Sequence, residues 1–294
     1  MHMQRVVVLA GFGIMGQGIV KNILYYCNNF KIYLYQPRIQ ILESNNLKMV
    51  QTLDDVQEKI YAIISCLPDD EATSRFWSSV DVVKKIRKNH CYCIEMSTGS
   101  YEQMMKNSEF VEYNEGKYVE CPVTGSRKGA ESRNLTLFVH DRYACELSGF
   151  FNLFSKKTIK FSEFGNATKF KLLYNCWGFT ILYTLKLFYP YLITIFGKDR
   201  ETVYEALSNY GWMSSICKDK LLDLDNNTLV SFKYSHMMKD INYGNKLLDL
   251  DDPVWKEMTA FYQQLLDNVD TSEDYVKVVL KNRGEENATV TPEY

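Results

Sequence analysis

A short β-branched run, Arg5-Val-Val-Val-Leu9, leads into Gly11-Phe-Gly-Ile-Met-Gly16, and an apolar-periodic stretch from Ile19 to Tyr26 follows. This order of strand, glycine turn and helix constrains the fold more than any other feature of the chain. A strand that is apolar on both faces is buried inside a sheet. A turn this tight asks for residues without side chains: Gly11 for the turn, Gly13 so that a ligand can approach backbone, and Gly16 so that helix and strand can touch. The unbonded N–H groups at the helix start, with the positive end of its dipole, would face a phosphate seated on the turn. Three glycines alone occur by chance. Their flanking elements make a dinucleotide the expected ligand, cradled by Gly11, Phe12, Gly13, Ile14, Met15 and Gly16; the alternative is a glycine turn that binds nothing.

The strand pattern continues. Lys31–Tyr35 reads as a second strand, Lys59–Leu67 as a third ending at Pro68, and His90–Met96 as a fourth ending at Ser97-Thr98. Tyr118–Pro122 and Leu135–His140 supply two more. Strands alternating with helices at this spacing predict an α/β fold, a doubly wound (Rossmann) parallel sheet. After about Phe164 the strand signals stop, and Lys169–Phe196, Arg200–Tyr210, Phe232–Leu248, Pro253–Leu266 and Ser272–Lys281 read as helices. The expected organisation is a cofactor-binding domain over 1–162, an all-helical substrate and dimerisation domain over 163–283, and a polar, mobile tail over 284–294.

Composition narrows the partners. The 34 Lys plus Arg balance 36 Asp plus Glu for a net charge of −2, which argues against nucleic acid or a membrane surface held by bulk positive charge. The eight cysteines include no CxxC pair and no Cys/His cluster with metal spacing, so no metal site is expected. Most lie in apolar runs such as Tyr61–Leu67, which predicts buried reduced thiols in a reducing, cytoplasmic compartment. Leu172–Phe196 is long and apolar enough to span a bilayer, yet Lys186 sits mid-way, Asn175 near its start, and Pro190 interrupts it. A helix buried in a core or subunit interface is the favoured reading over a membrane span.

The choice of dinucleotide turns on the end of the second strand. An NAD site usually places Asp or Glu about 20 residues beyond the loop, accepting from the ribose 2′-hydroxyl. Here that position is Gln36, no carboxylate occurs between Phe30 and Ile41, and Arg38 is placed to pair with a 2′-phosphate. NADP(H) is therefore expected over NAD(H), unless Arg38 is only a solvated loop charge.

Beyond the glycine turn, four blocks resemble those of the β-hydroxyacid dehydrogenases in the same order: Glu95-Met-Ser-Thr98, Cys121-Pro-Val-Thr-Gly-Ser126, Gly165-Asn-Ala-Thr-Lys-Phe-Lys171 with Asn175, and Phe232 with Lys239-Asp240-Ile241. The resemblance covers nearly the whole chain, and Gly125-Ser126 with a basic residue following is most similar to the glyoxylate/succinic semialdehyde reductases. It implies an oxidoreductase acting on a small anionic carbonyl or hydroxyacid, with a C-terminal domain like that of 6-phosphogluconate dehydrogenase and assembly into a homodimer or homotetramer. By the same resemblance Lys171 is the proton donor and Asn175 its support. Cys66, Leu67, Pro68, Thr98 and Lys239 join the cofactor site, and Ser97, Thr124, Gly125, Ser126, Phe232 and Asp240 the substrate site.

The chemistry agrees: hydride delivered to a carbonyl leaves negative charge on oxygen, so a positioned proton donor is needed. Lys171 and Asn175 share a helix face, whereas Lys169 faces elsewhere. Ala167, Tyr174 and Gln36-Pro37 depart from the family's usual residues, and the aromatic helix after Thr180 would alter the pocket wall. Two other readings stay open: reduction of a larger carbonyl or an imine, and a dinucleotide-binding scaffold or sensor without turnover.

Overall fold

Val6, Val7, Val8 and Leu9 are all buried, because the strand that carries them, β1 (Arg5–Ala10), lies at the centre of a sheet covered on both faces. The computed structural model describes residues 4–211, 214, 217, 218, 220, 230–249 and 251–281. Its main sheet has six strands in the order β3-β2-β1-β4-β5-β6, with every pair parallel. The strands besides β1 are β2 (Phe30–Tyr35), β3 (Leu47–Val50), β4 (Ile60–Ser65), β5 (Tyr92–Glu95) and β6 (Lys117–Glu120). This is the doubly wound topology expected from the sequence.

Successive side chains of a strand point to opposite faces, and the register turns that alternation into two cores. Val7 and Leu9 pair with Ile32 and Leu34, and these four pack on one face with Ile19 and Ile23 of α1 (Ile14–Tyr26). Val6, Val8 and Ala10 fill the other face with Ile63, against Phe76 and Trp77 of α2 (Asp70–Ser78) and Val82 and Ile86 of α3 (Val80–Asn89). Met104 and Val111 of α4 (Tyr101–Tyr113) complete that layer. Each such side chain contributes about 1.5–3 kcal/mol when removed from water. Two of these helix starts are capped locally: Asp69 accepts from the Ala72 N–H at 2.8 Å and Ser100 from the Gln103 N–H at 3.2 Å.

The structure adds β3 to the strands read from the sequence and moves another to a different sheet. Leu135–His140 is β8, and it does not join the parallel sheet. It pairs antiparallel with β7 (Val123–Thr124) and parallel with β9 (Ser155–Phe161) in a separate three-stranded sheet. Between β7 and β9 lie two short helices, α5 (Arg127–Glu131) and α6 (Ser148–Phe151). Strand β9 reads Ser-Lys-Lys-Thr-Ile-Lys-Phe and is largely exposed; lysines on an edge strand discourage further pairing and hide the strand from hydrophobic patterning.

Two compact units result, Met1–Leu173 and Tyr174–Tyr294. Strand signals end at Phe161, near the sequence division at 162, while the units part inside the long helix α7 (Asn166–Phe196). In the second unit α8 (Arg200–Asn209), α9 (Tyr234–Leu248), α10 (Pro253–Leu265) and α11 (Tyr275–Lys281) follow α7. Its core gathers Phe179, Leu182, Tyr234, Ile241, Met258 and Tyr262. Two fully buried phenols are satisfied by backbone, Tyr262 donating to the Phe179 carbonyl at 2.7 Å and Tyr234 to the Tyr262 carbonyl at 2.6 Å. The expected tail over 284–294 lies outside the described residues.

Two further expectations are refined. Helix α7 is not buried all round: Trp177, Phe188, Tyr191 and Ile195 are exposed along it. Among the described residues, no helix is long and apolar enough to cross a membrane. Of the eight thiols, Cys91, Cys93, Cys121, Cys176 and Cys217 are buried, Cys27 and Cys66 are half-buried, and Cys145 is exposed. In native protein treated with iodoacetamide, Cys145 should be alkylated first and the five buried thiols only on unfolding. Peptide mass analysis reads this directly; native labelling of Cys93 or Cys121 as fast as Cys145 would contradict the packing.

Candidate active site

The C-terminal ends of the parallel strands line up, because hydrogen bonds continue past the strands themselves. Cys66 N–H donates to the Ala10 carbonyl at 2.9 Å, Met96 N–H to Ser65 at 2.8 Å, and Cys121 N–H to Glu95 at 2.9 Å. The loops that follow β1, β4, β5 and β6 therefore start level with one another, at the edge where ligands of open α/β sheets sit. Ser97 ties two of them together. Its hydroxyl accepts the Leu67 N–H at 2.8 Å and lies 3.3 Å from the Ser65 hydroxyl. Asp70 adds a second tie, accepting the Ser100 N–H at 2.8 Å.

The glycine turn fits a dinucleotide phosphate. Gly11 has φ +96°, and a Cβ there would collide with the Cys66 carbonyl. A Cβ on Gly16 would strike the Gly11 carbonyl. A Cβ on Gly13, by contrast, would meet nothing within 4 Å, so the turn presents bare backbone to incoming ligand. Gly13 is also the N-cap of α1, with no side-chain cap and no acidic residue in the first turn. The helix dipole and the backbone N–H groups at the turn suit an anion. Burial pushes the Cys66 thiol beside this turn up to about 12, with the charge of Glu95 adding to the effect, so it stays protonated.

Beyond β2 the chain turns at Gln36, which adopts φ +46°. Its amide donates to the Gln51 carbonyl at 3.0 Å and to the Tyr35 hydroxyl at 3.2 Å, which directs that side chain toward β3. Arg38 is exposed two residues later.

The turn Thr124-Gly125-Ser126 follows directly from β7 and is open to solvent at Gly125 and Ser126. Gly125 has φ +146° and a Cβ would press on Leu135. The Ser126 hydroxyl caps α5 by accepting the Gly129 N–H at 3.1 Å. Helix α5 is in turn locked to α1. Asn22 is buried and donates to the Ala130 carbonyl at 2.7 Å and to Gly18 at 2.8 Å, while a Cβ on Gly18 would collide with Ala130. The glycine-turn helix and the second turn thus form one rigid piece.

Lys171 is buried near the end of the first unit. The start of its helix is held by Glu120, whose carboxylate accepts the Gly165 N–H at 2.8 Å and the Thr168 N–H at 2.6 Å. Lys169 points its ammonium over the Tyr101 ring at 4.4 Å, which separates it from Lys171 as the spacing predicts. Glu95, the register partner of Glu120, accepts the Trp77 indole N–H at 2.7 Å and the Ser97 N–H at 3.0 Å. Burial raises its carboxyl above the ordinary range despite those donors. A cavity of about 10 Å³, room for about one water, is lined by residues including Glu95, Ser97, Glu120 and Thr168.

The second unit brings three of its expected residues together. Asn175 Nδ2 donates to Asp240 Oδ2 at 2.7 Å, and Lys239 Nζ pairs with Asp240 Oδ1 at 3.1 Å. Asp240 is almost fully buried, so both partners compensate a charge that would otherwise cost several kcal/mol. Phe232 stands apart from them, in an aromatic group with Phe179 and Tyr275 at centroid distances of 6.3 and 5.3 Å. Sequence reasoning missed Glu120, Asn22 and Asp274. The last accepts from Ser231 N–H, Ser231 hydroxyl and Phe232 N–H and so fixes the backbone at Phe232. A carboxylate closing a largely buried strand, as Glu120 does, was the available signal. Among the described residues no group of His, Cys, Asp and Glu could hold a metal.

Comparison with known proteins gives these features a frame. Residues 6–144 match the NAD-binding domain of 6-phosphogluconate dehydrogenase. The chain is 24% identical over 244 residues to the mouse (Mus musculus) cytokine-like nuclear factor N-PAC, covering 81% of this chain and 43% of that protein. It is 29% identical over 171 residues to Arabidopsis thaliana glyoxylate/succinic semialdehyde reductase 1, covering 56% of this chain and 58% of the reductase. The chain thus spans less than two thirds of these relatives. Among solved structures, Psf3 in complex with NADP+ and 2-OPP superposes with a TM-score of 0.77 at 15% identity, over 95% of this chain and 100% of the other. Mycobacterium tuberculosis 3-hydroxyisobutyrate dehydrogenase with L-serine does so with a TM-score of 0.73 at 16% identity, over 96% and 100%. These likenesses show the fold.

The two glycines separate fold from binding. Gly13→Ala should leave the melting temperature within about 2 °C, since the new methyl meets nothing, yet weaken dinucleotide binding about tenfold or more. Gly11→Ala should destabilise the domain by about 2–4 kcal/mol through its positive φ and the Cys66 collision. Thermal melts and fluorescence titration with NADPH and NADH distinguish them; equal stability loss in both variants would refute the geometry.

Proposed function

We propose that the chain is an NADPH-dependent reductase of a short carboxylated aldehyde or ketone, with Lys171 as the proton donor. The observation that carries this reading is a buried lysine on a helix anchored to the same sheet whose glycine turn fits a dinucleotide. Burying an ammonium costs several kcal/mol, and a donor aimed at a growing alkoxide is a function that justifies the cost. When bound, the reduced nicotinamide supplies the hydride. The chain's own residues do the rest. Lys171 gives its proton to the carbonyl oxygen as negative charge grows there. Thr124 and the N–H groups of Gly125 and Ser126 hold the substrate carboxylate. Ser97 keeps the loops after β4 and β5, with Cys66, Leu67, Pro68 and Thr98, at a fixed height beside the cofactor. In the helical unit Asn175, Asp240 and Lys239 act as one linked set.

NADPH over NADH rests on Arg38 and on the absence of a carboxylate between Phe30 and Ile41. The exposed aromatic stripe of α7 supports assembly into at least a homodimer, because apolar area of this kind is normally covered. A reducing cytoplasmic setting suits its many free thiols.

A second reading has a specific observation behind it: relatives matched over 81% of this chain are named as a nuclear factor, not as an oxidoreductase. On that reading the chain binds a dinucleotide without turnover.

One assay separates the two. Glyoxylate, succinic semialdehyde, tartronate semialdehyde and methylmalonate semialdehyde are each offered with NADPH while absorbance is followed. At least one should turn over, with Lys171→Ala losing about 10²- to 10⁴-fold in kcat while retaining NADPH binding. NADPH binding without turnover of any carbonyl would favour the scaffold. Arg38→Ala should lower the NADPH-to-NADH ratio of kcat/KM about tenfold, and an unchanged ratio would sink the cofactor assignment. Light scattering should give at least twice the 34.3 kDa chain mass; a monomer at micromolar concentration would overturn the assembly.

A further inference from the structure

Glu120 closes strand β6 and is almost completely buried, yet the reaction described above makes no direct use of it. Both of its oxygens are occupied by backbone N–H groups of one distant helix start, at Gly165 and Thr168. The first N–H groups of a helix have no partners within it, and a local Ser, Thr, Asp or Asn usually satisfies them. In α7 a carboxylate from a strand 45 residues earlier than Gly165 does so instead. Gly165 makes this possible: it adopts φ +92°, and a Cβ there would press into the Tyr101 ring.

Glu120 cannot drift, because the sheet fixes it. It is paired in register with Glu95 on β5, and the Cys121 N–H continues the ladder into the Glu95 carbonyl. A rigid sheet edge therefore sets where α7 begins and how it is rotated. Lys171 lies three residues beyond Thr168 and is buried in the same compact unit. A helix turns about 100° and rises 1.5 Å per residue, so slipping the start by one residue would carry the ammonium to another face.

We propose that Glu120 is the positioning residue for Lys171: its two N–H bonds fix the start and rotation of α7 and so set the lysine against the substrate carbonyl. The proposal rests on Lys171 being the proton donor. Charge-assisted bonds to a helix start are among the stronger hydrogen bonds of a fold. A misplacement of about 1 Å at a reacting group costs on the order of 10²-fold in rate. Glutamine at position 120 keeps the size but turns one oxygen into an NH2 that opposes an N–H donor, so one of the two bonds is lost.

The test is a double-mutant cycle in the full chain, using NADPH and the panel carbonyl with the highest kcat/KM. Glu120→Gln should lower kcat about 10- to 100-fold, with the NADPH Kd and carbonyl KM moving less than about threefold. In a Lys171→Ala background, by single-turnover rates, the same substitution should cost less than about twofold, since there is no ammonium left to misplace. An equal fold-loss in both backgrounds, or a Glu120→Gln kcat within about twofold of wild type, overturns the positioning role. If circular dichroism shows Glu120→Gln unfolded, Glu120→Asp carries the same cycle with the charge retained: an intermediate kcat that vanishes as an effect beside Lys171→Ala supports the proposal, and an equal loss in both backgrounds defeats it. Wild-type turnover in Lys171→Ala would instead remove the lysine reading itself, whatever Glu120 does.

Discussion

Two carboxylates buried side by side at the end of the parallel sheet organise the first unit. Glu95 and Glu120 are register partners on β5 and β6, and desolvating two such charges costs several kcal/mol each unless donors meet them. The donors come from three directions: the Trp77 indole on α2, the Ser97 amide in the loop after β5, and the first amides of α7. Every element that answers this demand is thereby placed. Ser97 then passes the order on to Leu67 through its hydroxyl, and the loops that border the glycine turn inherit a fixed height.

How much of this was legible in the sequence depended on how local the cause was. β1, β2, β4 and β5 could be read because burial on both faces leaves runs that are apolar over most of their length. The glycine turn could be read because its three glycines stand together between a strand and a helix, with Gly16 packed on Gly11 only five residues earlier. β3 and β9 were missed for the opposite reason. Leu-Lys-Met-Val and Ser-Lys-Lys-Thr-Ile-Lys-Phe carry lysines toward solvent and owe their extended form to partners elsewhere in the chain. Leu135–His140 was read as a strand but given to the wrong sheet, since nothing local says that β9 is its parallel partner. Glu120 was missed as well, because its meaning resides in amides 45 and 48 residues away.

The long helix shows a different limit. Its apolar residues occur on all sides, so periodicity had no polar face to work from, and core, interface and membrane all fitted. The structure divides the sides: Cys176, Phe179 and Leu182 enter the helical core, while Trp177, Phe188, Tyr191 and Ile195 stay exposed. Hydropathy alone could not make that division, because water and a protein partner are told apart only by geometry.

The same geometry bears on how a chain of net charge −2 can gather anionic ligands. Glu95 and Glu120 add negative charge near the end of the sheet where a pyrophosphate would sit, and an unscreened pair there would repel it. Their orientation limits the harm. Each carboxylate is turned inward onto N–H donors, and burial holds the Glu95 carboxyl toward its neutral form. The groups left facing outward carry the opposite sign: the uncapped first turn of α1 and the open backbone of Gly125 and Ser126. The negative ends of the local dipoles are thus used up inside the fold, and the positive ends are presented to ligand. Attraction for anions here is a matter of which way groups point, and the net charge of the chain has little to do with it.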